Sequence, residues 1–298
     1  MEYRVLGESD LNISQIGFGC MSLKNDSNEN DKLLHQAIEL GINFFDTADL
    51  YDKGMNEEAV GKALRQKRDK TIIATKVGNQ WRSDGSGWDW NARKEYIILA
   101  VEQSLKRLQT DYIDLYQLHG GTIQDPIDET IEAFERLIAS GKIRYYGISS
   151  IRPAVIKLWL DKSNIVSVMM QYSLLDRRPE EEVLGLLLQH NVGVLARGSV
   201  AGGLLAGKPA QAYLEYGEKQ VATAATAIRQ ISGNDKSSAQ TAIQFVLSHP
   251  AITAAIVGIR TMEQLQDAVE ALDVEKLTET QIATLKNIIA VNRYTEHR

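Results

Sequence analysis

A carboxylate, a phenol, an ammonium and an imidazole fall just past the ends of three apolar runs in this sequence. Asp46 and Tyr51 belong to the stretch Asp46-Thr47-Ala48-Asp49-Leu50-Tyr51, which closes the run at 42–45, while Lys76 and His119 close the runs at 72–75 and 112–118. A phenol has a reference pKa of about 10 and donates poorly at neutral pH, but a neighbouring ammonium favours phenolate and eases the donation. Lys76 can supply that ammonium to Tyr51, Asp46 can keep Lys76 charged and oriented, and His119 can hydrogen-bond the reacting oxygen or assist the proton transfer. Such a group polarises a carbonyl and protonates its oxygen. It supplies no electrons, so a reduction also needs a hydride donor. Taken singly, the same residues have plainer roles as an Asp46–Lys76 structural ion pair, a satisfied core histidine and a packing tyrosine. Joint placement at strand ends is what points to chemistry.

The runs themselves are short, apolar and rich in β-branched and aromatic residues, as buried strands are. A helical pattern follows each one, so right-handed crossovers can join the strands in parallel and bring the residues just past them onto one face. Eight strands are expected at 15–19, 42–46, 71–77, 112–119, 143–149, 167–171, 193–197 and 254–258. Helical patterns occupy 31–40, 56–66, 94–108, 127–140, 153–162, 180–190 and 237–248, and 262–271 follows the eighth strand. Eight alternations in 298 residues favour an α/β fold of the closed (β/α)8 TIM-barrel type over an open doubly wound sheet. Ahead of them, Tyr3-Arg4-Val5-Leu6 and Leu11-Asn12-Ile13-Ser14 flank the turn Gly7-Glu8-Ser9-Asp10 and read as an N-terminal β-hairpin that can plug one barrel end. Asn30 or Asp31 reads as the cap of the first helix, Gly41 and Gly141 as helix stops, and Pro126, Pro153 and Pro179 sit near helix starts. Residues 78–93, with Trp81, Trp88 and Trp90, and residues 198–236 read as long loops that would shape binding on the C-terminal face.

Composition narrows the function classes. An apolar content of 44% over 298 residues can fill one large core, and no Pro- or Ser-rich linker divides it, so a single domain over 1–298 is expected. The net charge of −6 opposes a general nucleic-acid or membrane-surface binder and leaves phosphate binding to a local site. Cys20 has no partner for an internal disulfide, Met1-Glu2-Tyr3-Arg4 lacks the apolar core of a signal peptide, and no apolar stretch reaches the roughly 18 to 20 residues that span a bilayer. A soluble cytoplasmic protein is the expectation. Gly17-Phe18-Gly19-Cys20-Met21-Ser22 has Ser22 where a dinucleotide fingerprint has its third glycine, and Pro209 follows Gly207-Lys208 where a phosphate loop needs Ser or Thr, so neither motif is accepted. His35, His119, His190, His249 and His297 show no metal-ligand spacing with Cys20 or a carboxylate, and no metal is expected.

The residues from Gly41 to Tyr51, Ala74-Thr75-Lys76-Val77-Gly78, the stretch from Asp111 to His119, and Gly147-Ile148-Ser149 resemble successive motifs of the aldo-keto reductase superfamily over nearly the entire chain. The resemblance implies a (β/α)8 barrel that binds NADPH in extended form and reduces aldehydes or ketones, with Tyr51 as general acid supported by Asp46, Lys76 and His119. It places Gly19, Cys20, Met21, Asp46, Ser149 and Gln171 at the cofactor, Ser149 and Gln171 on the nicotinamide carboxamide. Tyr172 or a residue of the next loop is expected to stack on the nicotinamide. Arg197, Gly198, Ser199, Gly202, Leu204 and Lys208 correspond to the loop that folds across the pyrophosphate, and Gly258, Arg260 and Gln264 to the adenosine-phosphate motif. Arg260 has planar donors suited to a 2′-phosphate, which favours NADPH over NADH. Three positions depart from the family pattern. Ser150 stands where asparagine is common, Arg197-Gly198-Ser199-Val200 replaces Tyr-Ser-Pro-Leu, and Ala268 replaces an asparagine that contacts adenine.

Trp81 and Trp90, with Tyr51 and His119, are candidates for the substrate pocket. The expected partner is a small carbonyl compound, with Arg197 leaving room for a negatively charged one, and the resemblance implies a monomer. It also reaches potassium-channel β subunits, so an NADP(H)-binding, redox-sensing regulatory subunit is the alternative.

Overall fold

The computed structural model describes residues 1–24 and 27–295. Its centre is a closed parallel barrel of eight strands: β3 (Ile16–Gly19), β4 (Phe44–Asp46), β5 (Ile72–Val77), β8 (Ile113–Leu118), β9 (Ile143–Ser149), β10 (Ser167–Gln171), β11 (Gly193–Arg197) and β12 (Ile252–Gly258). The strands follow one another around the barrel in chain order, β12 pairing back onto β3. All eight coincide with the runs read from sequence, because strands covered on both faces carry almost no polar interruption. The eighth starts two residues earlier than expected, at the buried Ile252.

Two short antiparallel hairpins flank the barrel. The first, β1 (Tyr3–Val5) with β2 (Asn12–Ser14), was expected. Leu6, Leu11 and Ile13 from it join Phe44, Leu115 and Leu195 in an apolar layer inside the barrel, which closes one end as a plug. The second, β6 (Asn79–Trp81) with β7 (Trp88–Trp90), occupies the segment read as plain loop. Three residues per strand are too few to show an alternation, and the turn residues between them conceal the pairing.

Around the barrel run α1 (Ser27–Glu39), α2 (Met55–Leu64), α3 (Lys94–Leu108), α4 (Ile127–Ala139), α5 (Pro153–Lys162), α6 (Val183–Gln189), α7 (Glu218–Ser232), α8 (Ser238–Leu247), α9 (Met262–Glu270) and α10 (Glu279–Asn287). Helix α1 begins at Ser27, ahead of the expected cap; Asn30 lies inside its first turn and reaches back to donate to the Lys24 carbonyl at 2.7 Å. Pro179 starts a 3-10 turn at Arg178–Glu181 and α6 begins only at Val183, so the helix expected from 180 is shorter. The 198–236 segment contains α7, whose buried Val221, Ala224, Ala227 and Ile228 fall at helical spacing, and α10 packs against it. Their alanine-rich and polar faces weaken the periodic signal. No described helix is long and apolar enough to cross a membrane, and His297 lies outside the described residues.

Register decides which strand-end residues share a face. Asp46 pairs with Ala74, so Lys76, two residues on, points to the same barrel-interior side, one step nearer the C-terminal mouth. Thr75 points the other way and donates to Glu57 of α2 at 2.5 Å, and Glu57 in turn holds Arg107 of α3 at 2.6 Å. This buried network pins α2 and α3 behind the strand that carries Lys76.

Candidate active site

At the C-terminal mouth of the barrel lies a cleft of about 910 Å³. On its floor, Lys76 is 1% exposed and donates to Asp46 Oδ2 at 2.7 Å, to the Thr47 carbonyl at 2.7 Å and to Tyr51 Oη at 3.4 Å. The second Asp46 oxygen accepts from Gln117 Nε2 at 3.4 Å. Burial pushes the Asp46 carboxyl above its ordinary range while Lys76 pulls it down; burial also opposes the Lys76 charge, yet Asp46 and Tyr51 hold the ammonium above its ordinary value.

Tyr51 projects from the turn after β4, followed by Asp52, Lys53 and Gly54, all at positive φ (47°, 56° and 89°). Two consecutive non-glycine residues in the left-handed region store strain beside the phenol, of the kind that surrounding structure must hold in place. The His119 ring meets the Tyr51 ring edge-on, centroids 5.8 Å apart, and its Nδ1 is buried with no hydrogen-bond partner. Burial first, then the Lys76 and Arg197 charges, depress the His119 imidazole to about 3, so it is neutral throughout the ordinary pH range. Accordingly, kcat should show no ionisation near 6.5 from this residue between pH 5 and 8. A break there that disappears in His119→Gln would show that the ring titrates normally.

Of the residues singled out from sequence, Gly19, Met21, Asp46, Tyr51, His119, Ser149, Arg197, Gly198, Gly202, Lys208, Gly258, Arg260 and Gln264 line the cleft. Lys76 sits beneath it. Ala268 also lines it, whereas three cofactor candidates lie away from it: Cys20 is fully buried with its thiol towards the Phe18 carbonyl, Leu204 is buried, and Ser199 is buried with an unpartnered hydroxyl. Gln171 is held on both ends of its amide, donating to Tyr213 Oη at 2.8 Å and accepting from Arg197 at 3.0 Å. Tyr172 cannot stack on a ligand in the cleft, because it is fully buried against Phe245 and donates to Glu180 at 2.7 Å. Trp90, the last residue of β7, donates to Asp125 at 2.8 Å, with its ring so close to Gly78 that a Cβ there would approach within 2.6 Å. Trp81 carries Lys53 over its ring at 5.2 Å and has a buried, unpartnered indole N–H.

Sequence reasoning missed several lining residues, including Leu50, Arg152, Met169, Ile256 and Asp267. Two of them, Met169 and Ile256, belong to the barrel-interior layer of β10 and β12, a facing that an unbroken apolar run does not reveal. Ser150, noted as a departure, also lines the cleft, with its hydroxyl accepting from the Arg152 N–H at 3.2 Å.

At the far end, Thr261 caps α9, and the Arg260 N–H donates to Gln264 Oε1 at 2.9 Å. The loop after β11 turns at Gly198 and Gly202, both at positive φ, and Lys208 folds over it to donate to the Gly202 carbonyl at 2.7 Å. A Cβ on Gly202 would meet nothing within 4 Å, so its backbone lies open towards the cleft that it lines.

A model of the aldo/keto reductase family matches residues 15–290. The chain is 50% identical, over the whole of both chains, to a protein of Bacillus subtilis (strain 168) described as uncharacterized oxidoreductase YqkF. It superposes on the holo form of aldo-keto reductase AKR11C1 from Bacillus halodurans with a TM-score of 0.94 and 48% identity, covering 100% of this chain and 99% of that one. The glycerol dehydrogenase AKR11B4 from Gluconobacter oxydans matches with a TM-score of 0.87 and 25% identity, over 96% of this chain and 94% of that one.

Proposed function

The chain belongs to the aldo/keto reductase family, and from that premise we propose that it is an NADPH-dependent oxidoreductase that reduces aldehydes or ketones to alcohols with Tyr51 as general acid. The observation that carries this reading is the chain of contacts Asp46–Lys76–Tyr51, at 2.7 Å and 3.4 Å, on the floor of the cleft. A carbonyl oxygen set against Tyr51 Oη receives the phenolic proton. Lys76 stabilises the phenolate left behind, and Asp46 keeps that ammonium charged and aimed. The neutral His119 imidazole hydrogen-bonds the same oxygen and thereby selects its approach. In the reverse direction the phenolate accepts the proton of an alcohol.

The donor set suits an extended dinucleotide. Ser149 lies near the reacting end, the open Gly202 backbone and Lys208 midway suit a pyrophosphate, and Arg260 with Gln264 at the start of α9 suits an adenosine phosphate. The reduced nicotinamide, when bound, supplies the hydride. Arg260 offers a guanidinium for the 2′-phosphate, whereas Asp267, lining the same end, favours no phosphate. Arg260→Ala should therefore raise the Michaelis constant for NADPH by about 10- to 100-fold and that for NADH far less. Equal effects on both would sink the phosphate assignment. The activity itself is tested by following NADPH oxidation with small aldehydes, ketones and dicarbonyls. Turnover supports the reading, and tight NADPH binding without turnover on any of them would turn attention to a regulatory role. We further take the chain to act as a single barrel unit on a small carbonyl substrate in the cytoplasm.

A further inference from the structure

We propose that Trp90 is a positioning residue for His119: its indole holds the two backbone segments that flank the imidazole and so sets the angle at which that ring meets the substrate oxygen. This rests on the carbonyl-reduction reading above. His119 follows β8 directly, and its own N–H donates at 2.7 Å to the carbonyl of Val77, the last residue of β5. Gly120 and Gly78 are the next residues along these two segments, and both run at positive φ, 144° and 127°. The six-membered ring of the Trp90 indole covers both of them: a Cβ at Gly78 would come within 2.6 Å of it, and one at Gly120 within 3.3 Å. The two strand exits approach the indole this closely because neither residue has a side chain.

The indole is itself fixed. Its Nε1 donates to Asp125 Oδ1 at 2.8 Å, and Asp125 also accepts from the Thr122 N–H at 2.7 Å and from the Thr122 hydroxyl at 2.9 Å, which ties the loop after His119 to the ring. Arg152 donates to the Gly121 carbonyl of the same loop. Beside Trp90, the Asn91 N–H donates to the Gly78 carbonyl at 2.8 Å, so the second hairpin and the exit of β5 move together. The imidazole has no comparable anchor at Nδ1, which is buried with no hydrogen-bond partner, and its ring meets Tyr51 edge-on with centroids 5.8 Å apart. Its aim is therefore set by packing and by the backbone that carries it, and that backbone is what Trp90 holds. A misplacement of about 1 Å in a reacting constellation costs on the order of 100-fold in rate. Trp90 thus acts on the reacting end without being part of the cleft wall.

The test is a double-mutant cycle on kcat/KM for 4-nitrobenzaldehyde, comparing the wild type, Trp90→Phe, His119→Gln and the two substitutions together. Asp125→Ala, which keeps the indole but takes away its acceptor, is run in the same two backgrounds, with the urea midpoint and NADPH affinity measured for each variant. Phenylalanine has no N–H for Asp125, and its smaller ring reaches less far over the two glycines. The expected result is a fall of about 10- to 100-fold for Trp90→Phe when histidine is present, and less than about threefold in the His119→Gln background. Asp125→Ala should follow the same pattern at smaller size, and NADPH affinity should change less than about threefold throughout. The inference is overturned if both variants cost the same factor with and without the histidine, since a purely structural role lowers the rate whatever residue stands at 119. It is equally overturned if Trp90→Phe stays within about threefold of wild type. Should the urea midpoint show that Trp90→Phe does not fold, Asp125→Ala decides by the same comparison. Failure of the wild type to reduce this or any other aldehyde would instead remove the carbonyl-reduction reading, and the inference with it.

Discussion

Tyr51→Phe is expected to lower kcat for carbonyl reduction by about 10²- to 10⁴-fold while leaving NADPH affinity nearly intact. The substitution keeps the ring, and with it the edge contact to His119 at 5.8 Å and the position under the Lys76 ammonium, 5.1 Å from the ring centre. It removes only Oη, the atom 3.4 Å from Lys76 that hands over the proton. His119 cannot take over the donation, because its buried imidazole is depressed to about 3 and carries no dissociable proton of suitable strength near neutrality. Steady-state kinetics on a reactive aldehyde, with NADPH titration of the variant as a control, reads both quantities. A rate within about threefold of wild type would exclude Tyr51 as the acid.

Lys76→Met is expected to cost both activity and stability, and the two losses can be separated. Methionine fills much of the lysine volume but leaves the Tyr51 phenolate without its cation, for which a fall in kcat of about 10²- to 10³-fold is expected. It also strands Asp46, which is 4% exposed, without its ion-pair partner. Breaking a buried pair from one side costs about 3 to 5 kcal/mol, readable as a shift of the urea midpoint. Adding Asp46→Asn removes the stranded charge, so the double variant should recover stability without recovering rate. Recovery of both would mean that the pair is structural and that Tyr51 works without the ammonium.

These expectations rest on a site whose framework was readable from sequence and whose details were not. The eight barrel strands stood out because each is a short apolar run that alternates with a helix, and Asp46, Lys76 and His119 stood out because they interrupt or end those runs with charge or polarity. The hairpin at 79–90 was hidden because three-residue strands carry no period, and α7 because alanine is ambiguous between a buried face and a solvated one. Side-chain direction was the other limit. Cys20 lies between the cleft residues Gly19 and Met21 in the chain, yet its side chain turns into the packing behind β3, so adjacency in sequence misplaced it; Trp90, read as part of a long loop shaping the cleft, instead packs its ring against the Gly78 backbone. Met169 and Ile256 reach the cleft for the converse reason: they occupy interior-facing register positions that apolar runs do not distinguish from exterior ones.

The most direct test of the account is to supply NADPH deuterated at the transferable position of the nicotinamide, with an aldehyde, and to examine the alcohol by mass spectrometry for wild type and Tyr51→Phe. The account predicts one deuterium on the carbinol carbon of the wild-type product, and product formation slowed to a trace, still labelled, in the variant. An unlabelled alcohol would contradict hydride transfer from NADPH, and labelled product formed at the wild-type rate by Tyr51→Phe would contradict the role given to the phenol.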